Sequence, residues 1–90
     1  MAWQLELSDA ALKDLAKLDK PVAKRIIDFL RQRVNTLEDP RAIGQALTGA
    51  RLGAYWKYRV GDYRVIARIE DDILRVFVIH AGHRRHVYRD

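Results

Sequence analysis

The chain has 90 residues, no cysteine and a formal net charge of +5. This length predicts a single domain over residues 1–90, and the absence of cysteine excludes a disulfide framework and a thiol nucleophile. No apolar run approaches the roughly 18 residues of a membrane span and no signal-peptide pattern is present, so we expect a cytoplasmic protein without a membrane partner. Residues 51–90 hold 9 basic and 5 acidic side chains, which favours a nucleic acid or an acidic protein as partner.

The first half of the chain predicts one strand and two helices. Residues 3–7 alternate apolar and polar side chains, as in a half-buried strand, and Ser8 is the predicted N-cap of a helix over residues 9 to about 18. A second helix is expected to begin around Pro21, with Asp19 near its N-cap. Its apolar stripe should cover a sheet and consists of Val22, Ile26, Phe29, Leu30, Val34 and Leu37. Four cations lie off this stripe and are expected mainly to face solvent: Lys24, Arg25, Arg31 and Arg33.

Residues 38–54 contain Pro40 and three glycines and predict a loop with a short helical piece at most. Two turn signals follow, Gly61-Asp62 and Asp71-Asp72, so residues 55–79 predict three antiparallel strands. Two-residue turns would pair Val60 with Tyr63 and Glu70 with Ile73. The apolar face of this sheet then comprises Trp56, Tyr58, Val60, Tyr63, Val65, Ala67, Ile69, Leu74, Val76 and Val78.

The opposite face of the predicted sheet is basic. In this register Arg59 lies across from Arg64, and Arg68 across from Arg75; each like-charged pair costs roughly 0.2–1 kcal/mol. An anionic ligand would remove that cost, whereas the alternative is that these arginines extend into water and pair with Glu70 or Asp62. The fold class is therefore α+β: an N-terminal strand, two antiparallel helices and a three-stranded meander, forming a small mixed sheet with the helices on one face.

The chemistry available on the basic face is that of a phosphodiester site. The sequence contains no glycine-rich phosphate loop or zinc-protease motif, and we expect no cofactor or functional metal, although His80, His83 and His86 have metal-compatible spacing. Cations and aromatic rings suit RNA, whose 2′-hydroxyl is a built-in nucleophile. Lys57 is the candidate base, because a guanidinium such as that of Arg64 stays charged and serves better as an electrostatic clamp. The further candidate substrate-binding residues are Arg59, Tyr55, Arg68, Phe77, His83 and Arg85.

Three segments, Leu47-x-Gly49, YWKYRVGDYR (55–64) and VFVIHAGHRRHVY (76–88), resemble the RelE family of bacterial and archaeal toxins over nearly the whole chain. By this resemblance five residues match family residues that bind the substrate phosphates, stabilise the transition state and supply acid, base or base-stacking roles: Lys57, Arg59, Arg64, Arg84 and Tyr88. The candidate catalytic residues are Lys57, Arg64, Arg84 and Tyr88. Arg59 stands where the best-known member has lysine, which leaves Lys57 as the better candidate base. The segment from Arg84 to Tyr88 is two residues shorter than in that member.

The resemblance implies a toxin of a type II toxin–antitoxin system. Its activity would be that of a metal-independent mRNA endonuclease that enters the ribosomal A site, cuts the codon there and so inhibits translation. Its partners would be mRNA, the ribosome and a cognate RelB-like antitoxin, with operator DNA bound only through the antitoxin complex. Two alternatives remain open at this stage: a ParE-like toxin that shares the fold but inhibits DNA gyrase, and a non-catalytic RNA-binding module.

Overall fold

A computed structural model describes residues 3–34, 39–47 and 55–86 of the chain. In chain order the elements are β1 (Gln4–Leu7), α1 (Asp9–Ala16), α2 (Lys20–Phe29), a π-helical extension of α2 (Leu30–Val34), a 3-10 turn (Pro40–Ile43), β2 (Gln45–Ala46), β3 (Tyr55–Val60), β4 (Tyr63–Glu70), a second 3-10 turn (Asp71–Ile73) and β5 (Arg75–His83). Leu37, in the predicted stripe, and Tyr88 lie outside the described residues. Among those residues no helix is long and apolar enough to span a bilayer.

The strands form one mixed sheet in the order β1-β5-β4-β3-β2. β1 pairs parallel with β5, and the other neighbouring strands are antiparallel. The predicted α+β class is confirmed. β2 was not predicted from the sequence; it places two residues of the expected loop on the edge of the sheet beside β3.

The helices cover one face of this sheet and enclose the core. Ile26, Leu30 and Val34 of the predicted stripe are fully buried, so α2 and its extension supply the helical side of the core as expected. The sheet side is also fully buried at Tyr58, Val65, Ala67, Val76 and Val78. Complete burial of one such aliphatic side chain contributes roughly 1.5–3 kcal/mol, so this contact determines which face of the sheet remains open.

Ser8 joins the first strand, the first helix and the last strand. Its hydroxyl accepts a hydrogen bond from the Ala11 amide at 3.0 Å, which confirms the predicted N-cap, and donates to the Ile79 carbonyl at 2.9 Å. Asp19 stands at the N-cap of α2 but makes no capping hydrogen bond with its side chain. Pro21 lies in the first turn of α2, where its restricted φ favours the start of a helix.

The two hairpins differ in how well the sequence predicted them. Val60 pairs with Tyr63 as expected, and Gly61 has φ of 60°, which suits glycine at the first turn position. The second connection has four residues instead of two and ends with Leu74 in the left-handed region, so Glu70 pairs with Arg75. The expected pairing of Glu70 with Ile73 is therefore wrong. The shift is even, so the side chains of β5 as far as Val78 keep their predicted faces.

A β-bulge interrupts β5 at Ile79. Ala67 pairs with Val78 and Ile66 pairs with His80, which leaves Ile79 as an extra residue on β5. Beyond Ile79, each side chain of β5 therefore lies on the face opposite to the one expected for a regular strand. Ala81 is consequently buried in the core cluster, on the same side of the sheet as Val78.

Candidate nucleic-acid interface

An open groove with a volume of about 430 Å³ lies on the basic face, at the edge formed by β2 and β3. Its lining consists of Ile43, Gln45, Lys57, Tyr58, Arg59 and Arg64. Three predicted site residues thus share one depression: Lys57, Arg59 and Arg64. None of the described residues that line it carries a carboxylate, so the groove is suited to an anion.

Strand register brings these cations together. Arg59 pairs directly with Arg64, as predicted, and Lys57 pairs with Gln45 on the other side of β3. The Arg64 guanidinium donates to the carbonyl oxygens of Gly61 and Tyr63, at 2.9 and 3.0 Å, which holds it over the first hairpin turn. A phosphate placed between the two arginines would offset the repulsion of a directly opposed like-charged pair.

The wall of the groove opposite β4 is the segment 39–47, which sequence reasoning assigned to a loop. Tyr58 anchors it, because its hydroxyl donates to the Pro40 carbonyl at 2.7 Å. Gly44 lies against the same ring, and a Cβ at that position would stand 2.9 Å from Tyr58 Cε1. Burial raises the pKa of the Tyr58 phenol to about 12, so this anchor stays protonated at neutral pH.

Arg41 ties the same wall to the second hairpin. Its guanidinium donates two hydrogen bonds to the Asp71 carboxylate, at 2.6 and 3.1 Å, and lies 5.7 Å from the centre of the Trp56 ring. The hydrogen bond from Arg41 lowers the pKa of Asp71, and the same bond raises the pKa of Arg41. Asp39 caps the intervening turn by accepting from the Arg41 amide at 3.0 Å. The only sequence signal for this arrangement was Asp39-Pro40, a weak helix-start pattern.

Arg84 lies at the same end of the sheet as the groove. Its amide donates to the Asp62 carbonyl at 2.9 Å, and Gly82 of the same segment pairs with Arg64. The backbone therefore carries Arg84 past the first hairpin turn, with its side chain exposed. Tyr88, the fourth predicted catalytic residue, lies outside the described residues.

His83 and Arg85 were expected to bind substrate, but neither lines the groove with Lys57. His83 stacks edge-on against Tyr63, with ring centres 5.6 Å apart, and its Nδ1 accepts from the Arg85 amide at 3.2 Å. Tyr63 packs against the core, so its cross-strand partner His83 lies on the helical side of the sheet. The bulge at Ile79 explains the difference, because a regular strand would place His83 on the open face.

A second groove, of about 320 Å³, holds the histidines on that helical side. Its lining consists of Asp14, Lys17, Leu18, His80, Ala81, Gly82, His83 and His86. Asp14 accepts from the Ala81 amide at 3.1 Å and lies 3.0 Å from Nδ1 of His80, which attaches α1 to the bulged part of β5. No group of three or more possible metal ligands occurs among the described residues.

Arg68 and Phe77 belong to a separate, charge-balanced cluster on the open face. Arg68 faces Phe77 across the strands, so the expected opposition of Arg68 and Arg75 is wrong. Both guanidinium groups lie over the Phe77 ring, 5.5 and 5.3 Å from its centre. Tyr55 pairs with Arg68 on its other side. The Phe77 ring, which was expected to bind substrate, is therefore already in contact with two cations.

Two glutamates neutralise this cluster. Arg75 bonds to Glu70 and, at 2.6 Å, to Glu6, while Arg68 lies 3.4 Å from Glu70. The hydrogen bond from Arg75 lowers the pKa of Glu70. The alternative raised from the sequence, pairing of arginine with Glu70, is thus what occurs at this end of the sheet. Among the described residues, the cationic groove with Arg59 and Arg64 lies at the other end of the sheet and has no glutamate in its lining.

Another groove, about 760 Å³, follows the edge of β1. It is lined by Trp3, Gln4, Leu5, Glu6, Leu7, Ile27 and Arg31, with one cation and one carboxylate. That charge balance does not favour a polyanion, and none of the predicted site residues lines this groove. The smaller cationic groove is therefore the candidate interface.

Comparison with known proteins places the chain in a family. The family described as "ParE toxin of type II toxin-antitoxin system, parDE" matches residues 5–88. The chain is 32% identical over 84 residues to the mRNA interferase toxin RelE of Escherichia coli (strain K12), covering 93% of this chain and 85% of that protein. It is 30% identical over 87 residues to Toxin RelE of Mycobacterium tuberculosis, covering 97% and 87%.

Solved structures show the same fold. The toxin–antitoxin complex RelBE2 from Mycobacterium tuberculosis contains a chain that matches with a TM-score of 0.84 at 24% identity, over 93% of each chain. A chain of the intact Escherichia coli RelBE toxin–antitoxin complex matches with a TM-score of 0.70 at 25% identity, over 91% of this chain and 96% of that one. The protein belongs to the RelE/ParE superfamily and is a toxin of a type II toxin–antitoxin system. The resemblance found in the sequence is confirmed.

Proposed function

We propose that this toxin is a ribosome-dependent mRNA endonuclease that cleaves the codon in the A site. The observation that carries the proposal is the convergence of the cations Lys57, Arg59 and Arg64 in one groove. Two directly opposed arginines, Arg59 and Arg64, suit the binding of a phosphodiester. A surface that only inhibits another protein does not need such a pair. The Escherichia coli relative that is 32% identical carries the name mRNA interferase.

The proposed reaction is attack of the RNA 2′-hydroxyl on the adjacent phosphorus. The 2′-oxygen forms a bond to phosphorus, its proton passes to a base, and the bond to the 5′-oxygen breaks as that oxygen takes up a proton. The products are a 2′,3′-cyclic phosphate and a 5′-hydroxyl. Lys57 is the proposed base, while Arg59 binds the phosphate and Arg64 and Arg84 stabilise the charge on its oxygens. Tyr88 is the candidate acid, and these groups make the proposed reaction independent of a metal.

The proposed partner is a cognate RelB-like antitoxin. Two solved relatives are toxins in complex with their antitoxins. An acidic segment of such a partner would match the net charge of +5 and would compete with RNA for the cationic groove. DNA would be bound only through the antitoxin complex.

The test is primer-extension mapping of mRNA on programmed ribosomes. Wild type is expected to cut within the A-site codon, and Lys57→Ala, Arg64→Ala and Arg84→Ala are each expected to slow cleavage about a hundredfold, as for loss of one transition-state contact. Arg31→Ala, an exposed arginine beside β1, is the matched control and should cleave like wild type. Intact mRNA, in the presence of wild-type protein that still arrests growth, would refute the proposal.

The second candidate function is that of a ParE-like toxin that inhibits DNA gyrase. The matched family description favours it, because it names ParE. A gyrase supercoiling assay with the same purified protein separates the two candidates. Inhibition of supercoiling together with intact mRNA would establish the second function in place of the first.

A further inference from the structure

The cationic groove has two kinds of wall. The strand wall provides Lys57, Arg59 and Arg64, whose charges attract phosphate whatever base is attached. The other wall, from segment 39–47, provides Ile43 and Gln45, which carry no charge. Any preference for particular bases in this groove therefore depends on the second wall.

Gln45 is placed to read a base. It pairs with Lys57 in the sheet register, so the two side chains share the open face, and Gln45 is exposed. Within the described ranges its amide group makes no side-chain hydrogen bond to another residue. A glutamine amide offers one acceptor and two donors, which is the pattern that recognises base edges in nucleic acids.

Ile43 supplies the apolar surface that such a contact needs. It is 38% exposed although it is a large aliphatic residue, and it borders the same groove. A base whose phosphate contacts the arginines could lie against Ile43 and present its edge to Gln45. Single-stranded RNA is read in this way, with an unstacked base supported on one face and hydrogen-bonded at its edge.

The wall is also held rigidly, as base discrimination requires. Tyr58 fixes Pro40, Arg41 binds Asp71 at 2.6 Å, and Gly44 packs against the Tyr58 ring. These contacts come before and within the short turn that leads into Gln45. The position of the amide is therefore set by the core and by the second hairpin before any ligand arrives.

We infer that Gln45 is a specificity-determining residue, which selects among A-site codons by hydrogen bonding to a base next to the phosphodiester that Lys57 and Arg64 bind. The inference rests on the proposed endonuclease function. It assigns codon choice to a residue outside the set that performs the chemistry. Removal of the amide should therefore alter which codons are cut more than whether cleavage occurs.

The experiment uses ribosomes programmed with mRNAs that differ in one A-site base at a time. Cleavage rates are measured for wild type, Gln45→Ala and Gln45→Leu, with Gln4→Ala on the opposite sheet edge as the matched control. We expect the ratio of rates between preferred and disfavoured bases to fall at least about fivefold in both Gln45 variants and to stay unchanged in the control. Thermal unfolding of each variant verifies that the fold is intact.

Two outcomes overturn different statements. If wild type cuts mRNA and the Gln45 variants keep the wild-type ratios, even at a uniformly lower rate, the role of Gln45 is wrong and the endonuclease proposal stands. If wild type cuts none of the codons, the proposed function falls, and the assignment to Gln45 falls with it.

Discussion

Tyr58 connects the core of the protein to the wall of its candidate site. Its ring is fully buried and lies edge-on to Phe29, with centres 6.1 Å apart, while its hydroxyl reaches the Pro40 carbonyl. From sequence, Tyr58 was predicted to face the core, but its hydroxyl had no predicted partner. The contact depends on a residue 18 positions away in a segment without periodicity, so no local pattern indicates it.

Tyr58→Phe tests the anchor directly. The substitution keeps the ring and leaves the buried Pro40 carbonyl without its donor, so the free energy of unfolding should fall by about 1–2 kcal/mol. Urea unfolding at neutral pH measures this loss. Unchanged stability would mean that water replaces the hydroxyl and that the wall is not held as described.

The pKa of Tyr58 also predicts that the stability difference between wild type and Tyr58→Phe changes at alkaline pH. Burial raises the pKa of Tyr58 to about 12, whereas a tyrosine in an unfolded chain titrates near 10. The folded state holds this proton more tightly, so its stabilisation is complete below about pH 10 and is lost as the pH rises through about 12. The advantage of wild type over Tyr58→Phe in urea unfolding should therefore be smaller at about pH 11 than at about pH 9. An advantage that is constant or grows would contradict the assignment.

At the scale of elements, the open face of the sheet divides into a cationic groove and a neutral cluster. Arg68, in the cluster, contacts Glu70 and the Phe77 ring, whereas Arg64, in the groove, bonds to backbone carbonyls and keeps its charge uncompensated by a carboxylate within the described residues. From the sequence, Arg64 was predicted to be catalytic and Arg68 to bind substrate. The structure gives Arg68 an acidic partner and gives Arg64 backbone carbonyl partners, and of the two only Arg64 lines the cationic groove.

Arg68→Ala is therefore expected to reduce mRNA cleavage much less than Arg64→Ala. The first change removes a cation that is already paired, and the second removes one from the groove. The A-site cleavage assay on ribosomes compares the two, with thermal unfolding as the control for folding. Equal losses in two well-folded variants would show that RNA extends over the neutral cluster as well.

The sequence predicted the strands better than their connections. Gly61 marks the first hairpin because glycine adopts a positive φ without strain, and that register is correct. The second hairpin contains no glycine, and Leu74 takes the left-handed conformation at φ 51°, which an Asp-Asp pattern does not reveal. The core face was still predicted correctly because a shift of two residues preserves it. The bulge at Ile79 reverses that alternation, which is why the side of the sheet occupied by His83 was missed.

At the scale of the whole molecule, the described surface separates arginines that pair with carboxylates from the cations that line the groove. The chain carries a net charge of +5, and the second half contributes most of it. Within the described residues, carboxylates pair with Lys24, Arg41, Arg68 and Arg75, while no carboxylate lines the cationic groove. The groove is consequently the part of the described surface to which RNA should be attracted.

Salt dependence measures how many phosphates the groove neutralises. With Lys57, Arg59 and Arg64 engaged, the logarithm of the association constant for a short single-stranded RNA should fall with the logarithm of salt concentration with a slope of about 2. Arg59→Gln should reduce that slope by about 0.7, and Arg31→Gln should leave it unchanged. Fluorescence anisotropy titrations supply the slopes. The same slope in all three proteins would place RNA elsewhere on the surface.

The parallel pairing of β1 with β5 limits when the toxin can fold during its synthesis. Ser8 and Ile79, which bond at the end of that pairing, are 71 positions apart, so the first strand leaves the ribosome long before its neighbour is made. Contacts of such long sequence separation form late and slowly. A nascent chain cannot close its sheet until β5 has emerged. A complete toxin fold therefore cannot exist before β5, which ends at His83, has been translated.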